Sequence, residues 1–194
     1  MGCDIHIIIQ VLDPITNEYK FVKETVNTSR KVQINEHLTF IIPLSNSTGK
    51  LIMISSEELK ADLINHDDCQ IGGCECQNDF NLHFHIQRDY YLFKKIANIR
   101  SHNELGENMD PRGLPEDATD MLHHIFIENV DWIPLCKCTL TPEDLHSQTY
   151  LYDYEINNLD IKDSEGLLEL KELVSRVNEN FQGLQSRFII AFDN

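Results

Sequence analysis

The chain is short of basic residues. Its 194 residues carry 16 lysines and arginines against 32 aspartates and glutamates, a formal net charge of −16. A polymer this acidic repels phosphate backbones, which excludes coating of long nucleic acid as the default function. Long apolar runs are missing as well. Nothing approaches the roughly 20 consecutive apolar residues that cross a bilayer, so no membrane partner is expected. The N-terminus has no basic segment followed by an apolar stretch and a small-residue cleavage site, so secretion is not signalled and a cytoplasmic location is expected. Gly2-Cys3 invites acylation, but His6 stands where the myristoylation pattern needs Ser or Thr. Internal repeats and low-complexity tracts are absent. Ser147 lacks the glycine elbow of a hydrolase nucleophile, and none of the six cysteines forms a CxxC knuckle.

What is present describes an ordinary globular domain. A hydrophobic fraction of 41% with 25% charged residues, over this length, predicts one domain spanning residues 1–194 with a real core. Without a secretion signal, the cysteines read as reduced thiols or metal ligands rather than a disulfide framework. Cys69, Cys74 and Cys76 fall in a Cys-rich loop at about 66–79, where Gly72-Gly73 lets the backbone fold tightly. Together with Cys138 they make a candidate tetrahedral set for structural zinc; Cys136, His66, His83 and His85 are the other candidates for the fourth ligand. Free thiols are the alternative.

Hydrophobic periodicity predicts an α+β fold: a mixed or mainly antiparallel sheet containing both termini, with helices packed against it. Residues 4–12 read as a strand, turned at Asp13-Pro14 and Thr16-Asn17 into a second strand over 18–24. An extended segment follows at 32–44 and a short strand at 51–54. Ser55 with Glu58 makes a capping box for a helix toward His66. Strict alternation puts Phe80, Leu82, Phe84 and Ile86 on one face of a strand. Asp89 is a plausible N-cap for a helix with a Leu92, Phe93, Ile96, Ile99 stripe, closed by Arg100. Pro111 to Pro115 is too constrained for a flexible linker and reads as an ordered loop, with a helix from Pro115 to about Glu128. A short helical turn is predicted at Thr141-Pro142-Glu143-Asp144, a long helix over 164–181 and a final apolar strand over 187–193.

The richest chemistry lies at the start. In Met1-Gly2-Cys3-Asp4-Ile5-His6 a carboxylate and an imidazole stand two residues apart on a strand, so both leave one face of the sheet. That pair can ligate a divalent ion or act as an acid/base couple. Arg88-Asp89-Tyr90 with Leu92-Phe93, Ile96-Ala97 and Arg100, the loop Pro111-Arg112-Gly113-Leu114-Pro115 with Asp117, the segment His146-Ser147 with Thr149-Tyr150-Leu151, and the ending Arg187 to Asn194 complete the pattern. With these motifs the chain resembles a family of small phage and bacterial proteins that begin MGCDIH. They carry an RNYxLFxxLAxVR helix, a PRGLPxD loop, an HSxSWL segment and an RIVFxFDN end. Threonine and tyrosine replace the serine and tryptophan of the third motif here. The cysteine segments are not part of the pattern. The resemblance implies a shared site, not a reaction, and a phage origin would put the protein in the host-cell cytoplasm.

The residues so singled out are Asp4, His6, Arg88, Arg112, His146, Ser147, Asp193 and Asn194. Antiparallel pairing of the first and last strands would set Asp4 and His6 beside Asp193 and Asn194. The expected function is a hydrolase or phosphodiesterase acting on a small anionic substrate, a nucleotide or another phosphate ester. In one version Asp4, His6 and Asp193 hold manganese, magnesium or zinc, which activates water. In the other, His6 and His146 share acid/base work, Asp4 orients His6 and Ser147 binds substrate. Arg112 would clamp the anion bidentately, with Arg88, Tyr150 and Asn194 also on the substrate side. Arg100 and Arg187 are further candidate anion ligands. The competing expectations are a non-enzymatic binder, a sponge or inhibitor of a small ligand or host protein in viral counter-defence, and an acidic nucleic-acid mimic.

Overall fold

A computed structural model describes residues 5–25, 30–35, 38–42, 49–64, 80–86, 88–98, 109–126, 146–160 and 164–192. The fold is α+β. Strands β1 (Ile5–Asp13), β2 (Glu18–Thr25), β5 (Lys50–Ile54), β8 (His146–Tyr152) and β9 (Ser186–Phe192) form an antiparallel sheet in the order β5-β2-β1-β9-β8. Two short strands, β6 (Phe80–Asn81) and β7 (His83–Ile86), extend it by pairing with β2 and β1. The chain's first and last described strands are therefore neighbours, with Ile5 opposite Phe192 and Val11 opposite Ser186.

β1 and β9 are central and buried along their lengths, which explains why both are near-continuous apolar runs rather than alternating ones. On one face Ile5, Ile7, Ile9, Phe188, Ile190 and Phe192 pack under α2 (Tyr90–Ala97) and α5 (Glu165–Asn180), which contribute Leu92, Phe93, Ile96, Leu170, Val174 and Val177. On the other, Ile8, Phe21, Ile54, Ile189 and Ala191 pack under Leu59 of α1 (Ser56–Ile64) and Leu122 of α3 (Asp120–Phe126), with Leu114 and Ala118 alongside. Helices and a loop thus cover both faces.

Local signals account for most elements. Asn17 takes φ 58° in the β1–β2 turn, a left-handed position that Asn tolerates. Ser55 and Glu58 exchange both bonds of their capping box, at 3.1 and 2.7 Å. Asp89 caps α2 through the amides of Tyr91 and Leu92, and Ser164 caps α5 through Leu167.

Several expectations are corrected. The described residues of the 32–44 segment form two strands rather than one, β3 (Arg30–Asn35) paired antiparallel with β4 (Leu38–Ile42) in a separate two-stranded sheet. The 80–86 segment breaks at Leu82, which joins the second core cluster while Phe84 and Ile86 join the first. Helix α2 ends at Asn98, whose φ of 50° stops it before Arg100. Helix α3 begins at Asp120 rather than Pro115, because Pro115 closes a tight turn onto Ala118 and the amide of Leu122 bonds Thr119 Oγ1. A short helix, α4 (Asp153–Asn157), was not expected at all. The turn predicted at 141–144 lies outside the described residues.

Candidate functional site

The antiparallel register gathers several motif segments at one end of the sheet. His6 lies opposite Ala191 of β9 and opposite His85 of β7. His146 opens β8 opposite Phe192, one step along β9 from the residue facing His6. Arg88 follows two residues after Ile86, itself opposite Ile5, and its side chain is exposed at this same end. His6 itself is only 2% exposed. Asp4, Asp193, Asn194 and the side chains of His83, His85 and His146 lie outside the described residues, as do Cys69, Cys74, Cys76 and Cys138 and the rest of the 66–79 loop. Among the described residues, no group of three or more His, Cys, Asp or Glu is placed to hold a metal ion.

β8 enters this region through a bulge. Its register shifts between His146 and Thr149, and Ser147 there takes φ 53°. A left-handed conformation at a non-glycine residue costs about 1 kcal/mol or more and persists only where the surroundings impose it. Bulges re-aim strand residues and are common beside active sites. The segment expected to contribute His146 and Ser147 is therefore an irregular piece of edge strand, half-buried at Ser147.

The Pro111 to Asp117 loop is ordered, as expected, and the reason is its anchoring to β8. The amide of Gly113, at φ 73°, donates to Gln148 O at 2.9 Å, and that of Arg112 donates to Thr149 Oγ1 at 3.2 Å. Asn98 Nδ2 bonds Asp110 Oδ1 at 3.0 Å, tying the loop's start to the end of α2. From this edge the loop crosses to the second face, where Leu114 and Ala118 join the core.

Arg112, expected to clamp a ligand, holds Glu155 of α4 instead. Nη1 donates to Oε2 at 2.9 Å and Nη2 to Oε1 at 2.6 Å, a bidentate pair. Glu155 Oε2 also accepts the Tyr152 amide at 2.9 Å, half of a capping box for α4. Burial raises the Glu155 carboxyl, but the bonds from Arg112 and Tyr152 outweigh it and hold it below the usual range. The guanidinium lies 5.6 Å over the ring of Tyr150, which meets Tyr152 edge-on, and Tyr152 stacks on the exposed Tyr154. Tyr150 is thus packed as a half-buried sheet residue beneath Arg112.

A second polar centre sits further along the same face. Arg187 of β9 is 1% exposed, with its guanidinium 3.7 Å from the centroid of Tyr19. Its Nε donates to Gln10 Oε1 at 2.9 Å, across the register pair Gln10 and Arg187. Its Nη1 donates to Asp117 Oδ1 at 2.5 Å, so the acidic end of the PRGLPxD loop locks onto the arginine that opens the last motif. The Tyr19 hydroxyl is pushed up from 10.0 to about 12, by burial first and then by Tyr152, with Arg187 opposing. Sequence reasoning raised Arg187 as a candidate anion ligand but missed Gln10, Tyr19 and Tyr152. The detectable signal was a charged residue in an otherwise apolar strand.

No family model, no curated protein and no solved structure matches the chain.

Proposed function

We propose that the protein turns over a small anionic substrate, a nucleotide or another phosphate ester, at the sheet end where β1 begins and β9 ends. The observation that supports this is the coincidence of a buried imidazole, His6, with the strained β8 bulge that carries His146 and Ser147. In the metal-assisted version, Asp4, His6 and Asp193 would hold a divalent cation, which supplies a polarised water. In the acid/base version, His6 and His146 move the proton while Ser147 contacts substrate and the exposed Arg88 draws the anion in. Arg112, closed on Glu155, braces the loop and is not given a role in binding.

The test incubates the protein with a panel of nucleotides and cyclic dinucleotides, with Mn²⁺ and with EDTA. Catalytic turnover that His6→Ala abolishes is the expected result. Loss in EDTA selects the metal version, and persistence selects acid/base catalysis. Stoichiometric depletion reversed by heat would replace the enzyme with a binder. Turnover unaffected by both His6→Ala and His146→Ala would remove the site.

A further inference from the structure

We propose that Arg187 and Gln10 form a receptor for a small oxyanion, occupied in the free protein by the Asp117 carboxylate of the overlying loop. This receptor stands apart from the strand end carrying His6. Arg187 is four residues along β9 from Ala191, which faces His6, or about 13 Å at the rise of a strand.

A buried guanidinium is costly unless its donors are all used. Arg187 uses Nε on Gln10 and Nη1 on Asp117, while Tyr19 covers one face of the plane. Its Nη2 has no hydrogen-bond partner among the described residues, and neither has Nε2 of Gln10, whose side chain is 0% exposed. Two buried donors therefore flank the Gln10 to Arg187 bond with no acceptor for either among the described residues. An excess of donors around one cation matches a ligand that offers only acceptors and carries negative charge, which is the chemistry of phosphate or carboxylate. One oxygen of such a group would replace Asp117 on Nη1 while another satisfies Nη2.

The resident carboxylate is the easily exchanged part. Asp117 is 61% exposed on the side-chain scale against 1% for Arg187, so its release costs little desolvation. The loop carrying it is fixed independently at Gly113, Arg112 and Asn98, so exchange needs a local movement of Asp117 and not the loss of the loop. Tyr19 adds no competing negative charge, because its hydroxyl stays protonated to about pH 12.

Calorimetric titration with inorganic phosphate tests this, with acetate as a separate arm to distinguish phosphate from carboxylate recognition. Wild type must displace its own Asp117 and is expected to bind weakly. Asp117→Ala is expected to bind at least about tenfold more tightly and to gain thermal stability with added phosphate. The gain disappears when Arg187→Lys is combined with it, because lysine offers no planar fork. His6→Ala keeps the phosphate response, so failure of this receptor and failure of the proposed catalytic site are separate results. Equal affinity in wild type and Asp117→Ala overturns the proposal, as does a gain that survives Arg187→Lys. Should Asp117→Ala not fold, the Arg187 Nε–H resonance of wild type is followed by NMR during phosphate titration. A resonance that does not move overturns the proposal equally.

Discussion

Removing the Asp89 side chain should cost far more than a helix cap usually does, because one carboxylate closes two helices. Its Oδ1 accepts the amides of Tyr91 and Leu92 at 2.9 and 3.0 Å, starting α2. Its Oδ2 accepts Ser164 Oγ at 2.6 Å and the Gly166 amide at 3.0 Å, at the start of α5. The first pair is worth about 1 kcal/mol as an ordinary N-cap. The second is charge-assisted and buried, and its loss leaves donors unsatisfied, which adds about 2 kcal/mol. Asp89→Ala should therefore lower the unfolding free energy by about 3 kcal/mol, read from urea melts with an unchanged slope. Asp89→Asn keeps one acceptor oxygen and should lose roughly half of that. A double-mutant cycle of Asp89→Ala with Ser164→Ala should show at least about 1 kcal/mol of coupling, since Ser164 both donates to Asp89 and caps Leu167. Gly166 fits only because it has no side chain: an added Cβ would stand 2.7 Å from Asp89 Cβ. Gly166→Ala should then be destabilising in wild type and equally so in Asp89→Ala, which keeps that Cβ. A cost below about 1 kcal/mol for Asp89→Ala, or strict additivity with Ser164→Ala, would refute the shared-cap reasoning.

Two further outcomes follow from the site geometry. Tyr19 has a raised folded-state pKa, about 12 against 10.0, so its contribution to stability is complete below pH 10 and should be lost as pH rises toward 12. Ultraviolet titration of wild type against Tyr19→Phe should show one late-ionising tyrosine, and a Tyr19 that ionises near pH 10 would contradict the burial argument. Ser147→Gly relieves about 1 kcal/mol of backbone strain at φ 53°. It should leave the melting temperature no lower than wild type while reducing turnover, and full activity in this variant would separate the strain from function.

The fold class was legible because local and global signals agree in most elements. The turn at Asn17, the Ser55–Glu58 box and the Asp89 cap are short-range devices, and each reappears as read. Both termini were expected in one sheet, with antiparallel pairing of the first and last strands as the condition for their polar residues to meet, and the register shows that pairing. Misreadings arose where tertiary contacts outweigh local pattern. Alternation through Leu82 fails because the chain there passes from β2's edge to β1's, turning its side chain to the other face. Arg112 looked like a free cation in a rigid loop, since nothing in the sequence announces that Glu155, far along the chain, will meet it bidentately. The second role of Asp89 and the role of Asp117 were hidden for the same reason: each aspartate answers a partner from a distant segment, Ser164 in one case and Arg187 in the other.

These pairings change how the remaining motif residues should be weighed. A motif polar residue that the fold itself needs is poor evidence for chemistry, and Asp89, Arg112 and Asp117 each have a structural employment that accounts for them. His6 stands in a different setting. It is buried between Ile5 and Ile7 on a central strand where an aliphatic side chain would pack without desolvating an imidazole, a substitution that would favour stability. Ser147, at the neighbouring strand end, carries backbone strain that a glycine would remove. These two local costs lie together at the end of the sheet where the proposed site stands. Arg187 is the same argument at the other end, since its Nη2 and the Nε2 of Gln10 are donors no described residue uses. Stability measurements on His6→Leu and Arg187→Met separate the two cases from ordinary core positions: variants at least as stable as wild type would show that each polar group is kept at the expense of the fold.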